Sequence, residues 1–118
     1  RTVIEGIGEF EASLLKPPSR FALDRNVAWF DLEAVKESGP IVARPFRPGD
    51  RIRPFGMEGT RKLKDVFIDE KVPLDARRRT PVVLSGPVVI WAAGIRHSDE
   101  FRVGKKTRKA LKLEFRRY

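Results

Sequence analysis

Two apolar, β-branched runs, TPVVLS at 80–85 and VVIWAA at 88–93, are separated only by Gly86-Pro87, and no other stretch constrains the fold as much. Runs this short and continuous, bounded by turn residues, predict a hairpin covered on both faces. Such a hairpin needs a layer of structure on either side, and the rest of the chain offers them. Residues 9–15 alternate, with Phe10, Ala12 and Leu14 set against Glu9, Glu11 and Ser13, which predicts a strand with one wet face. Residues 26–30 form a short apolar strand with Val27 and Trp29 opposite to Ala28 and Phe30. Asp31 is placed to cap a brief helical turn over 32–36 that Ser38-Gly39-Pro40 stops. Strands at 41–46 and 51–55 flank the turn Pro48-Gly49-Asp50, and 56–59 reads as a loop.

Thr60 then stands as the N-cap of a helix over 61–68, in which Leu63, Val66 and Phe67 share one face and Lys62 and Lys64 stay in water. Pro73 suits the first turn of a second short helix, which Arg77, Arg78 and Arg79 end and Pro81 prevents from continuing. A last strand alternates Leu111, Leu113 and Phe115 with Lys112, Glu114 and Arg116. The balance is α+β: mostly antiparallel sheets, sandwich- or barrel-like, with two short helices inserted mid-chain. The expected core holds Leu63, Val66, Phe67, Val83, Val89, Trp91, Leu111 and Leu113, and Trp29 is assigned to it as well. At 118 residues the chain is read as one domain, 1–118. Because it opens on Arg1 rather than Met, it is expected to be a piece of a longer protein.

Charge separates along the chain. The first 43 residues carry five Lys/Arg against seven Asp/Glu; the remaining 75 carry twenty against nine, so the +9 of the whole is concentrated as +11 beyond Ala43. A polyanion is the partner this distribution favours, because rows of Lys/Arg displace condensed counterions from phosphates. There is no Cys, which excludes a disulfide framework, a thiolate metal site and a cysteine nucleophile, and is compatible with the cytoplasmic location expected here. The longest apolar stretch, 88–95, is too short to cross a bilayer, so no membrane partner is expected.

Catalytic candidates are poor. His97 is the single histidine, with no second His or Cys to complete a metal site and no Ser–Asp pair for a triad, so no metal and no catalytic residue is assigned. An independent enzyme would have to use Asp69, Glu70 and His97, and a structural role for the two carboxylates, capping the second helix or pairing with Arg, is favoured. Gly56-x-x-Gly59 resembles part of a phosphate loop or the backbone clamp of a KH domain, but a loop needing positive φ is the simpler reading, with Gly49, Gly56 and Gly59 shaping the turns. The basic clusters carry more weight: Arg44, Arg47, Arg51 and Arg53; Lys62 and Lys64; Arg77 and Arg78; Arg96; and Lys105 and Lys106 are the expected phosphate contacts. Arg in preference to Lys in the first cluster suits bidentate phosphate recognition, and Asp50 is expected to orient Arg47, Arg51 or Arg53. Phe46 and Phe55 are the candidate stacking residues.

The run RPGDRIRPFGMEGTRKLKDVFIDEKVPLDARRRTPVV, 47–83, resembles the C-terminal domain of bacterial tRNA(Ile)-lysidine synthetases. That family's pattern reads R-P-G-D-R, R-P-x-G-M-x-G, K-x-L-x-D and I-D-x-K-V-P, with an Arg and a Pro following. Each is present here between Arg47 and Pro81. Val89-Ile90-Trp91, Gly94-Ile95-Arg96, Phe101-Arg102-Val103 and Leu111-x-Leu113 fit downstream, and 26–32 resembles the family's early strand; Phe55 stands where Leu is expected. The resemblance implies a compact α+β fold related to a domain of the phenylalanyl-tRNA synthetase β chain. It implies a parent ligase that adenylates the wobble cytidine of tRNA(Ile) with ATP and lets lysine displace AMP. ATP and Mg would belong to an N-terminal domain with a Ser-Gly-Gly-x-Asp-Ser loop that this chain lacks, so no cofactor is expected here. The implied partners are the tRNA(Ile) acceptor stem and the catalytic domain of the same polypeptide. The alternative is a module that docks on that catalytic domain or dimerises, its charges only solubilising.

Overall fold

The computed structural model describes residues 2–4, 6–21, 24–54 and 56–118. In chain order it runs β1 (Thr2–Ile4), β2 (Gly8–Leu15), β3 (Val27–Asp31), α1 (Leu32–Ser38), β4 (Ile41–Pro45), β5 (Arg51–Ile52), β6 (Arg61–Lys62), α2 (Leu63–Asp69), α3 (Leu74–Arg78), β7 (Pro81–Ser85), β8 (Val88–Ala92), β9 (Arg96–His97) and β10 (Ala110–Arg117). Two four-stranded sheets, β1-β2-β10-β3 and β4-β7-β8-β9, and the ribbon β5-β6 are all antiparallel. The expected α+β architecture of antiparallel sheets with a few short helices is what forms.

The β7–β8 hairpin is the middle layer. On one face Val83, Ile90 and Trp91 meet Phe10, Phe30, Leu111, Leu113 and Phe115 of the first sheet. On the other, Val82, Val89 and Ala92 meet Ile52, Leu63, Val66 and Phe67 of the ribbon and α2. A bulge between Val83 and Leu84 lets Ile90 and Trp91, neighbours in sequence, both reach the first core. The hairpin turn is the two residues Gly86-Pro87, with Ser85 paired to Val88, and Gly86 has φ +56°, the sign that matches strand twist. The end of α1 is tied to this turn: Ser85 Oγ donates to the Val35 carbonyl at 2.8 Å and Ser38 Oγ to the Ser85 carbonyl at 2.9 Å. Asp31 caps α1 through the Glu33 and Ala34 amides, as its position implies.

Three expectations change, and one strand forms where none was expected. Thr60 does not cap a helix: 61–62 pairs with 51–52 as β6, α2 begins at Leu63, and the Thr60 hydroxyl accepts from Arg51 Nε at 3.0 Å. A tertiary strand pairing has overridden local helix propensity there. Ala12 and Leu14 alternate correctly but are exposed, because the edge strand β4 leaves a cleft over that end of β2 instead of covering it. Trp91 is core, whereas Trp29 is only half-buried, on the outer face of the first sheet between Lys112 and the Phe21 ring. The short strand β1 has no sequence signal and forms by pairing with β2. Among the described residues no helix is long and apolar enough to cross a membrane.

Candidate nucleic-acid interface

The third layer, formed by the ribbon with α2 and α3, gathers four of the expected cations. The ribbon ends in Lys62, α2 begins beside it with Lys64 in its first turn, and α3 presents Leu74, Arg77 and Arg78 on one side through i, i+3, i+4 spacing. These side chains line one groove of about 330 Å³. Its cationic lining is Lys62, Lys64, Arg77 and Arg78; its apolar lining is Phe46, Pro48 and Leu74; Gly49 and Asp50 complete it. Leu74 is 74% exposed. Phe46 is held edge-on against the buried Phe67, ring centroids 5.0 Å apart, so its ring is fixed by the core rather than free.

Among the described residues no hydrogen bond or ion pair engages the side chains of Lys62, Lys64, Arg78 or Arg47. Arg77 Nε donates to the Val72 carbonyl at 2.9 Å, which orients the guanidinium without neutralising it. Arg51, directly across the ribbon from Lys62, donates to the Thr60 hydroxyl and carbonyl, again neutral acceptors. Two cations opposed on adjacent strands cost stability. The ribbon keeps that arrangement without an acid between them.

Other cations do structural work. Arg44 makes a bidentate pair with Asp50, Nη1 to Oδ2 at 2.9 Å and Nη2 to Oδ1 at 2.8 Å, and Asp50 Oδ2 also accepts the Arg47 amide. Asp50 therefore orients Arg44, and neither Arg47, Arg51 nor Arg53 takes the bidentate position. Burial alone would push the Asp50 carboxyl up; the Arg44 hydrogen bond, the Arg47 amide and the two positive charges outweigh it and hold it below the usual carboxylate range. Arg53 is held by Asp99, Glu100 and the Met57 carbonyl. Arg96 and Arg25 each take one oxygen of Glu70, at 2.6 and 2.8 Å. The Arg25 hydrogen bond, helped by Arg96 and opposed by burial, holds Glu70 below the ordinary range. Asp69 pairs with Arg61 at 2.6 Å. Both carboxylates of the 69–70 pair thus serve ion pairs, and α3 has no side-chain cap.

Lys105 and Lys106 are exposed in the loop before β10, which Thr107 fastens to Asp31 at the start of α1; they do not line the groove. Gly49 and Gly56 have φ of +96° and +83°; Gly59 has no positive φ and open space around it. Phe55 lies outside the described residues. His97 stacks on Phe30 at 4.6 Å, with its ring nitrogens facing the Ser98 and Trp29 carbonyls. Burial pushes its pKa down. Among the described residues no cluster of three or more His, Asp or Glu could hold a metal. The sequence reading missed Leu74 and Pro48 as groove residues; the signal for Leu74 was its i, i+3, i+4 relation to Arg77 and Arg78.

A layered α+β module of antiparallel sheets carrying a cation-lined groove is the class that this fold and site define. The same fold occurs in an N-terminal fragment of the phenylalanyl-tRNA synthetase β-subunit from Pyrococcus horikoshii, with a TM-score of 0.60 over 75% of this chain and 27% of that one at 16% identity, a likeness of fold alone. A crystal structure of the TilS C-terminal domain superposes with a TM-score of 0.79 at 26% identity, covering 92% of this chain and 82% of the other. The family model for the TilS substrate C-terminal domain matches residues 41–114. The tRNA(Ile)-lysidine synthase of Caldanaerobacter subterraneus subsp. tengcongensis is 40% identical over 116 residues, and that of Symbiobacterium thermophilum 37% over 118, covering 97% and 98% of this chain. The chain belongs to the TilS C-terminal domain family. It spans about a quarter (24%) of the length of these two relatives.

Proposed function

We propose that this chain is the tRNA-gripping domain of a tRNA(Ile)-lysidine synthase, holding the acceptor stem while ATP and magnesium act on the wobble cytidine in a catalytic N-terminal part. Residues 1–118, read as one domain, supply position and no chemistry. The observation that carries the reading is the convergence of Lys62, Lys64, Arg77 and Arg78 from three separate elements on one groove, none of them paired with an acid among the described residues. Arg51 and Arg47 extend the same cationic surface. A-form RNA offers phosphates and 2′-hydroxyls rather than a readable deep groove, so unneutralised cations on a rigid layer suit it. Arg44, Arg53 and Arg96 support this surface through their ion pairs, and Lys105 and Lys106 form a separate flank.

The test is binding to an acceptor-stem minihelix across a salt series. Log affinity falls by about 0.7–0.9 per log salt for each phosphate neutralised. Lys62→Glu with Lys64→Glu weakens binding and flattens the slope by about 1.4–1.8, two phosphates' worth, with no loss of thermal stability. An unchanged slope removes the groove from the interface. A second reading, docking on the catalytic part of the same polypeptide, is favoured at a different place. The cleft of about 410 Å³ between β2 and β4 is lined by Phe10, Ala12, Val83 and Leu113, with Ile41 and Val42 exposed at 42% and 50%.

A further inference from the structure

We propose that the groove seats one unpaired nucleotide at the end of an RNA duplex, its base lying against Leu74, Phe46 and Pro48 and its flanking phosphates on Lys62, Lys64, Arg77 and Arg78. The inference rests on the RNA reading of this groove and names what enters it.

A duplex backbone is convex and polar. It would use the four cations and leave the apolar lining without a partner. The lining is nonetheless there: Leu74 opens α3 at 74% exposure, and Phe46 is clamped by Phe67 beside it. A base has two apolar faces and a charged backbone attached, which is the combination this lining complements. The volume of about 330 Å³ lies at the small end of ligand pockets, fitting one nucleotide rather than a strand.

Two details remove obstacles. Asp50 lines the groove, but both of its oxygens are occupied, Oδ1 by Arg44 and Oδ2 by Arg44 and the Arg47 amide, so its charge is compensated where a phosphate approaches. Gly49 has no side chain to narrow the wall, and a Cβ there would meet only open space. The Arg77 guanidinium, fixed by the Val72 carbonyl, adds a planar cation suited to a base face or a phosphate.

The test compares this chain with its Leu74→Ser variant on two RNAs: a blunt hairpin duplex, and the same duplex with a short 3′ overhang whose first unpaired base is 2-aminopurine. The overhang RNA is expected to bind about 10-fold more tightly than the blunt one, the size of one base-stacking contact. Its 2-aminopurine fluorescence changes on binding, and an abasic nucleotide at that position abolishes the advantage. Leu74→Ser brings the affinities for the two RNAs together; Leu74 is 74% exposed, so circular dichroism stays unchanged. Equal affinity for blunt and overhang RNA, or an advantage that survives in Leu74→Ser, overturns the proposal and leaves the RNA reading standing. Failure of both RNAs to bind at low salt overturns the RNA reading, and this inference with it.

Discussion

Replacing Asp50 with Asn should destabilise the fold by about 2–3 kcal/mol, although the residue sits on the wall of a surface groove. The magnitude comes from geometry. The Asp50 side chain is 10% exposed and that of Arg44 18%. The carboxylate accepts two guanidinium bonds at 2.8 and 2.9 Å and a backbone amide at 2.9 Å. Its own carbonyl receives the Leu63 amide that starts α2. Breaking a fully buried pair costs about 3–5 kcal/mol, because an uncompensated charge stays behind. A solvated pair costs about 0–1 kcal/mol. This pair lies nearer the first limit, softened because Arg44 Nη1 keeps its bond to the Pro45 carbonyl at 3.1 Å. For 118 residues the entropy of unfolding is about 250 cal/mol/K, so each kcal/mol moves Tm by about 4 °C and the expected loss is about 8–12 °C.

The assay is thermal unfolding followed by circular dichroism, repeated across pH. The Asp50 carboxyl is depressed in the folded state, so its contribution is fully present above the unfolded value of about 3.9 and is lost as pH falls below it. The gap between wild type and Asp50→Asn should be constant above about pH 5 and close in acid. The double variant Arg44→Met with Asp50→Asn should recover at least about 1 kcal/mol over the single one, since no charge is orphaned. A Tm change under about 2 °C for Asp50→Asn, or a gap independent of pH, would refute the assignment of Arg44 and Asp50 to the scaffold.

Three further outcomes follow from other contacts. His97 has its pKa pushed down by burial, so the unfolded chain takes up a proton that the folded one refuses; stability should fall as pH drops below about 6.5, and His97→Gln should remove that slope in the same melts. Gly86→Ala should cost about 3 kcal/mol or more, because φ is +56° and the new Cβ would collide with the Ser38 carbonyl, whereas Gly49→Ala, strained but in open space, should cost about 1 kcal/mol; equal losses in urea melts would contradict the close approach of the α1 end to the hairpin turn. Arg53→Glu should destabilise the fold where Arg51→Glu does not, since Arg53 faces Asp99 and Glu100, whereas among the described residues Arg51 donates to Thr60 and meets no acid.

The hairpin, the α1 cap and both faces of the core were legible because each rests on local rules: apolar runs around Gly86-Pro87, Asp31 before an apolar turn, and Leu63, Val66 and Phe67 at helical spacing. The failures came where distant contacts decide. Residues 61–62 have no strand pattern and become one only because Arg51 and Ile52 are opposite. Leu14 alternates like a core residue, but the sequence does not say that the layer above ends short of it. Trp29 has the composition of a core residue and the register of an outer face.

The same reason divides the cations. Clustering in sequence put Arg44, Arg47, Arg51 and Arg53 among the expected contacts, on the argument that arginine forks suit phosphates. A fork suits a carboxylate equally well, and the fold uses that property internally: Arg44 takes Asp50, Arg53 takes Asp99 and Glu100, and Arg96 shares Glu70 with Arg25. What distinguishes the groove cations is the absence of such partners among the described residues, and two of the four are lysines, compact point charges that make poor bidentate struts. An excess of +11 beyond Ala43 is therefore two populations. Arginines whose acids lie far off in sequence join the layers, across 45 residues for Arg25 and Glu70 and 46 for Arg53 and Asp99. Of the cations left over, Lys62, Lys64, Arg77 and Arg78 fall on the layer those bridges hold rigid, and Lys105 and Lys106 on the loop before β10. Removing a bridge should lower stability first and affinity only through it; removing a groove cation should do the reverse.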